Sequence, residues 1–153
     1  MAPAEDIDRL MLVMEAAFDP LFREAWSRKQ VEDSLLVGNT RYGLVAASGK
    51  RPKPGEEAAG FYLSRAATDE EELLLFAVVP KHRGRGLGRI LLDELFEDAA
   101  MRGIRKVFLE MRANNPAKST YMNYGFSPIG QRPQYYRTTT GDWIDAITFA
   151  KSV

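Results

Sequence analysis

The chain has no cysteine and a single histidine, His82, among 153 residues. The missing cysteines exclude disulfides, thiolate-held metals and a thiol nucleophile, and they fit a reducing compartment. One histidine excludes a multi-histidine metal centre, and in a charged turn it reads most simply as solvated. Neither sign of charge is in excess, since Lys+Arg and Asp+Glu each number 21. There is thus no general basic field of the kind that attracts nucleic acid. No apolar run nears the roughly 20 residues needed to span a bilayer. The opening Met1-Ala-Pro-Ala-Glu-Asp6 lacks the basic and apolar segments of a secretion signal. These absences predict a soluble, cytoplasmic protein with no metal, membrane or nucleic-acid partner. The length suits one domain with a real core. With no internal repeat, residues 1–153 are read as a single domain, monomer or homodimer.

What the chain does have is a strand, a glycine turn and a helix in succession. Leu73-Leu-Leu-Phe-Ala-Val-Val79 is apolar and strand-like, and Pro80-Lys-His-Arg-Gly-Arg-Gly-Leu-Gly-Arg89 follows it. Residues 86–102 then place Leu87, Leu91, Leu95 and Ala99 at helical spacing. The first turn of a helix leaves backbone N–H groups unpaired, and its dipole favours an anion there. Gly84, Gly86 and Gly88 let a phosphate approach without Cβ obstruction, while Arg83, Arg85 and Arg89 add positive charge. A phosphorylated small ligand is expected at this turn; the plain alternative is a solvated glycine-rich loop. The nucleotide-hydrolase string G-x-x-x-x-G-K-[ST] does not occur. The dinucleotide fingerprint G-x-G-x-x-G fails because its third glycine would be Arg89.

Around this unit, Asp6 to Phe18 reads as an amphipathic helix ended by Pro20. Ser27 and Gln30 form a capping box for a second helix. Strands are expected over 41–47, 58–66, 73–79 and 106–111, with 48–57 an exposed loop and the acidic run 68–72 a solvated hairpin tip. In the strand 106–111, Val107, Leu109 and Met111 share one face; Phe108 and Glu110 share the other. Asn115-Pro116 looks like a helix start, running to Tyr124 and closed by Gly125. Two last strands are expected near 126–130 and 143–149. Helices alternating with strands, opened by a hairpin, predict a mixed α/β sheet.

Two motifs make the chain resemble a known family. Arg83-Gly-Arg-Gly86-Leu-Gly88 is similar to the R/Q-x-x-G-x-G/A signature of the GNAT family of N-acetyltransferases. Asn114, Ala117, Tyr121, Gly125 and Phe126 match that family's N-x-x-A-x-x-L-Y-x-x-x-G-F in register, with Thr120 replacing its leucine. The likeness is greatest to bacterial ribosomal-protein-alanine N-acetyltransferases, on Leu109-Glu110-Met-Arg112, Arg132-Pro-Gln-Tyr135-Tyr136, Asp145-Ala-Ile147 and Trp26-Ser27. Departures are a segment between Glu110 and Tyr121 one residue shorter, Val79 at a commonly acidic position, and a longer 48–57 loop.

The resemblance implies a mostly antiparallel central sheet flanked by helices, the GNAT fold. It implies acetyl-CoA as co-substrate, with direct transfer to an amine. Its phosphates would meet Arg83, Gly84, Arg85, Gly86, Leu87, Gly88 and Arg89. Its pantetheine arm would lie along Phe76, Ala77 and Val78, whose backbone N–H groups would also serve the oxyanion. The family asparagine falls on Asn114 or Asn115; helix capping favours Asn115 as the cap and frees Asn114. By family position Glu110 is the base and Tyr121 the acid, against a surface glutamate and a packed aromatic as plain alternatives. Tyr135 and Tyr136 resemble a clamp for a peptide N-terminus, with aromatic core packing nearly as good a reading, and Arg132 assists at most. The implied acceptor is a protein N-terminus, a ribosomal protein's among them. The alternatives are a small-molecule amine (polyamine, amino acid or aminoglycoside) or a non-catalytic acyl-CoA-binding domain.

Overall fold

Two strands with alternating inward apolar side chains sit at the middle of the molecule. The computed structural model describes residues 2–153. Strand β3 (Glu70–Val78) buries every second side chain, and β4 (Lys106–Arg112) does likewise, so each is covered on one face. With β1 (Thr40–Val45), β2 (Gly60–Ala67), β5 (Ser127–Arg137) and β6 (Trp143–Ser152) they form one six-stranded sheet, ordered β1-β2-β3-β4-β6-β5. Every neighbouring pair is antiparallel except β3 and β4, which are parallel.

That parallel pair is short. Glu70, Glu71 and Glu72 align with Lys106, Val107 and Phe108, and the pairing goes no further. The register of β2 against β3 explains why. Leu63 opposes Leu75 while Ser64 opposes Leu73, so Leu74 is an extra residue on β3. Such a bulge bends its strand and increases the local twist. It falls directly after the last β3–β4 pair. Beyond it the strands part, leaving one edge of Leu75–Val78 without a neighbour.

Helices α1 (Ala4–Ala17), α2 (Arg28–Leu35), α3 (Leu87–Met101) and α4 (Lys118–Tyr124) flank the sheet. Leu10 and Met14 of α1, Leu91, Leu92 and Leu95 of α3, and Phe61, Leu63 and Phe149 of the sheet are all but fully buried. The expected Ser27–Gln30 capping box starts α2, with Gln30 N–H donating to the Ser27 hydroxyl and Ser27 N–H to the Gln30 side chain. The loop after β1 is tied down more firmly than its composition suggests. Arg9 donates to the carbonyls of Lys53 (2.7 Å) and Glu56 (2.8 Å), and Asp6 pairs with Arg51 at 3.1 Å. Among the described residues no helix is long and apolar enough to cross a membrane.

Three expectations need correction. The acidic run is not a solvated tip: Glu70–Glu72 belong to β3, and Glu71 is fully buried. Its carboxylate is held by the Arg102 guanidinium from the end of α3 and by the Ser64 hydroxyl at 2.8 Å. A distant cation on another element carries this burial, and local composition cannot reveal it. Helix α4 starts at Lys118, three residues past Asn115, because Lys118 N–H bonds back to the Asn115 carbonyl (3.1 Å) in a tight preliminary turn. Asn115 still acts as a local cap, its side-chain oxygen accepting from Ala117 N–H at 2.9 Å. Strand β5 extends seven residues past its expected end at Gly130, to Arg137. Register breaks between Pro128 and Gly130 and between Arg132 and Tyr136 hide its alternation, and its edge position tolerates Pro128 and Pro133.

Replacing Arg102 with Met should leave the Glu71 carboxylate buried and unpaired, lowering stability by about 3 kcal/mol in urea unfolding. Adding Glu71→Met should recover most of that loss. A wild-type-like midpoint for the single variant would contradict the pairing.

Candidate functional site

The parting of β3 from β4 opens a cleft of 680 Å³. One wall is β3 at Phe76, Ala77 and Val78, which pair with Tyr62, Phe61 and Gly60 on the β2 side only. The cleft's end is the glycine turn and the start of α3. Gly84 and Gly86 have φ of 77° and 82°, and a Cβ on either would meet nothing within 4 Å. They are glycine for backbone conformation, and the space above them is open. Gly88 serves packing instead, since a Cβ there would come within 3.2 Å of the Phe76 ring. No side chain caps the N-terminus of α3, which leaves its first N–H groups to a ligand or water. Arg83 braces the turn by donating Nε to the Val78 carbonyl at 2.9 Å.

Of the residues expected to hold a phosphorylated ligand, Phe76, Ala77, Val78, Arg83, Gly84, Gly86, Leu87, Gly88, Arg89 and Asn114 all line this cleft. Arg85 does not; its guanidinium lies 3.3 Å from His82 Nδ1. Both asparagines line the cleft with their side-chain oxygens engaged, Asn115 Oδ1 accepting from Ala117 N–H and Asn114 Oδ1 from Arg112 Nη1, and among the described residues neither amide N–H₂ has a partner.

A second cavity of 280 Å³ adjoins the first, the two sharing Phe18, Glu24, Phe76 and Asn115. It collects Glu110, Tyr121 and Tyr136; Tyr135 stays outside, about half exposed and edge-on to Tyr136 at 5.3 Å. Glu110 projects from β4 beside its register partner Thr148, whose hydroxyl lies 3.4 Å from Glu110 Oε2. Arg132 reaches the same oxygen at 3.1 Å from the irregular part of β5 and lies over the Tyr135 ring at 4.8 Å. This is the contact through which Arg132 enters the site.

Tyr121 is buried between Phe76 and Phe126, with ring centroids 5.5 and 5.7 Å away. Its hydroxyl has no hydrogen-bond partner among the described residues, yet no fully buried side-chain oxygen there goes unpaired. The hydroxyl therefore opens onto the cavity. Burial pushes its pKa well above the ordinary phenol value, and the nearby Glu24 carboxylate adds to the rise. The same causes act on Tyr136, where burial comes first and Glu110 and Glu24 follow. A phenol held neutral is a hydrogen-bond donor at any physiological pH.

Glu24 and Arg112 belong to the site although their positions in the sequence assign them no role. Glu24 bridges both cavities, and the buried Arg112 donates Nε to its Oε1 at 2.9 Å. Glu24 lies in an irregular stretch between a short 3₁₀ turn at Pro20–Phe22 and α2, where no periodicity marks an inward side chain. For Arg112 the signal existed, since it adjoins the candidate base on β4, but strand alternation alone does not separate a buried arginine from a solvated one.

Sheet, glycine turn and paired cavities together describe an acyltransferase-type domain, and residues 40–128 match the acetyltransferase (GNAT) domain family. The chain belongs to that family. Among its relatives is the [ribosomal protein bS18]-alanine N-acetyltransferase of Escherichia coli K12, 39% identical over 93 residues, which span 60% of this chain and 62% of that protein. The crystal structure of the ribosomal-protein-S18-alanine N-acetyltransferase from Escherichia coli superposes with a TM-score of 0.81 at 27% identity, covering 99% of this chain and 90% of that one. Arabidopsis thaliana NAA60 in complex with acetyl-CoA shares the fold at a TM-score of 0.77 and 20% identity, covering 98% of this chain and 94% of that one.

Tyr121 should stay protonated after an unfolded-chain tyrosine has ionised near pH 10. Its raised folded pKa means that its contribution is complete below pH 10 and is lost as pH rises toward the folded value. Between pH 9 and 11 the wild type should therefore lose about 1 kcal/mol more stability than Tyr121→Phe in urea titrations. Equal losses would show that Tyr121 ionises normally.

Proposed function

We propose that the chain is an acetyl-CoA-dependent N-acetyltransferase acting on the N-terminal α-amine of a protein. The observation that carries this is the edge of β3 that no strand covers, open between a glycine-rich turn and a cavity lined by the carboxylates of Glu24 and Glu110 and the phenols of Tyr121 and Tyr136. The shape fits coenzyme A in three ways. Gly84 and Gly86 leave space over their backbone for phosphates. The free edge of Phe76–Val78 can hydrogen-bond an extended amide-bearing arm as an added strand would. Asn114 keeps donors free on the opposite wall. Acetyl-CoA would supply an acetyl thioester where the two cavities join.

The chain's own residues then divide the work. An acceptor amine with a pKa of roughly 8 arrives largely protonated and attacks only as the free base. Glu110, beside the cavity, accepts that proton directly or through a water molecule. Arg132 and Thr148 orient the carboxylate meanwhile. The backbone N–H groups of Phe76 and Val78, which alternate away from β2, would receive the charge that gathers on the carbonyl oxygen as the N–C bond forms. Tyr121 offers its hydroxyl to the sulfur as the C–S bond breaks, giving the hydrogen bond or the proton that the leaving group needs. Tyr136 closes the acceptor side. We read residues 1–153 as a single such domain. The likeness to the bacterial bS18-alanine enzymes supports an N-terminal alanine as acceptor.

The test is release of free thiol from acetyl-CoA across peptides with free N-termini, N-blocked lysine peptides and small amines. Turnover confined to free α-amino peptides, best with N-terminal alanine, is expected. Turnover only with small amines would move the function to metabolite acetylation, and silence with acetyl-CoA still bound would remove the catalytic reading. With an active peptide, Tyr121→Phe should lower kcat by about 100-fold and leave acetyl-CoA affinity nearly unchanged. Near-full kcat would leave Tyr121 as packing.

A further inference from the structure

Arg112 is the last residue of β4, and its side chain is buried although it lies where the sheet opens. Its guanidinium has three partners on two separate segments. Nη1 donates to Asn114 Oδ1 at 2.8 Å, and Nε donates to Glu24 Oε1 at 2.9 Å. Its plane lies over the Phe22 ring, 3.6 Å from the centroid. Asn114 belongs to the cleft wall proposed to meet coenzyme A. Phe22 and Glu24 belong to the irregular stretch between α1 and α2, which lines the cleft and, through Glu24, the adjoining cavity.

That stretch has other anchors, and Trp26 packs against the hydrophobic core. Asp19 accepts from Leu21 N–H at 2.9 Å within the same turn, Arg23 adopts a left-handed φ of 56°, and Leu21 offers its carbonyl to Thr139 N–H at 3.0 Å. No regular element covers residues 23–27. The Arg112 fork is the tie that joins this wall to the cleft at Asn114, beside the packing of Trp26 on the core and the Leu21–Thr139 hydrogen bond. A planar guanidinium suits the task, since one rigid fork can serve two acceptors and stack on a ring at once.

We infer that Arg112 is a positioning residue that couples occupation of the coenzyme A cleft to the order of the acceptor wall, residues 19–27. This rests on the proposed reading of the cleft. When Asn114 commits its free amide N–H₂ to a ligand, its Oδ1 stays aimed at Arg112. The fork is then fixed, and Glu24 and Phe22 with it. Segments joined by one shared side chain lose conformational freedom together, so the second ligand has less ordering left to do. The coupling is reciprocal: whatever acceptor orders the wall must also tighten coenzyme A.

Hydrogen exchange with coenzyme A alone tests this and needs no knowledge of the acceptor. In the wild-type chain, saturating coenzyme A should slow exchange of the amides in residues 19–27 by about 5-fold or more. Arg112→Met, saturated as judged by calorimetry, should keep protection at residues 76–78 and 84–88 but lose most of it at 19–27. Arg112→Lys keeps the charge but cannot hold both partners, and it should behave like the Met variant; it also serves if the Met variant does not fold. A purely structural Arg112 would lower the melting temperature of both variants yet leave the coenzyme A response at 19–27 intact. That response, or no response at 19–27 in the wild type despite bound coenzyme A, would overturn the inference. Failure of the wild type to bind coenzyme A at all would instead remove the reading of the cleft.

Discussion

The extra residue Leu74 on β3 is the constraint from which the rest of the site follows. A parallel pair of strands ordinarily continues its hydrogen bonds to the strand ends, because unpaired backbone groups inside a fold are costly. Here three aligned pairs are followed by separation. The stretch Leu75–Val78 remains in the sheet through β2, so its open edge is held rigidly rather than frayed. An edge of this kind, away from the sheet margin and facing a cleft, is a preformed partner for an extended ligand. The same bend carries Val79 and Pro80 to the glycine turn, so the glycine turn and the open edge are products of one distortion.

Charge in the site follows a common arrangement. Each carboxylate lining the second cavity is met by an arginine from a different element: Glu110 by Arg132 of β5, and Glu24 by Arg112 of β4. These pairs fix two walls that come from remote parts of the chain. They also keep the cavity from accumulating uncompensated charge while leaving oxygens that an ammonium could approach. Glu71 and Arg102 do the equivalent on the far end of β3, where the parallel pairing is intact. Buried ion pairs contribute little net stability but make the alternatives expensive. For Glu71–Arg102 that contribution is to the register of β3 where it pairs with β4.

Much of this was legible in the sequence because it depends on local chemistry. Glycines at 84, 86 and 88 after an apolar strand pointed to a ligand turn, with a solvated loop as the alternative, and the alternation in 106–111 set Glu110 and Phe108 apart from the core face. Family resemblance contributed the roles assigned to Glu110 and Tyr121, which spacing alone would not have given. The misread parts are those decided by distant partners. Glu71 looks solvated until Arg102 is placed beside it, and Glu24 looks like loop surface until Arg112 reaches it. Strand β5 was cut short because two register breaks interrupt its periodicity. The bulge at Leu74 has no signature in a run of four leucine and phenylalanine side chains, Leu73 to Phe76.

The central claim is that the parted strands receive coenzyme A along the β3 edge. The most direct measurement is an amide chemical-shift titration of ¹⁵N-labelled protein with coenzyme A. The account predicts that the largest changes fall on two stretches distant in sequence, 75–78 and 84–88, and saturate together at one affinity. Binding that perturbs the glycine turn while leaving 75–78 unmoved would contradict it, placing the ligand on the surface of α3 rather than between the strands.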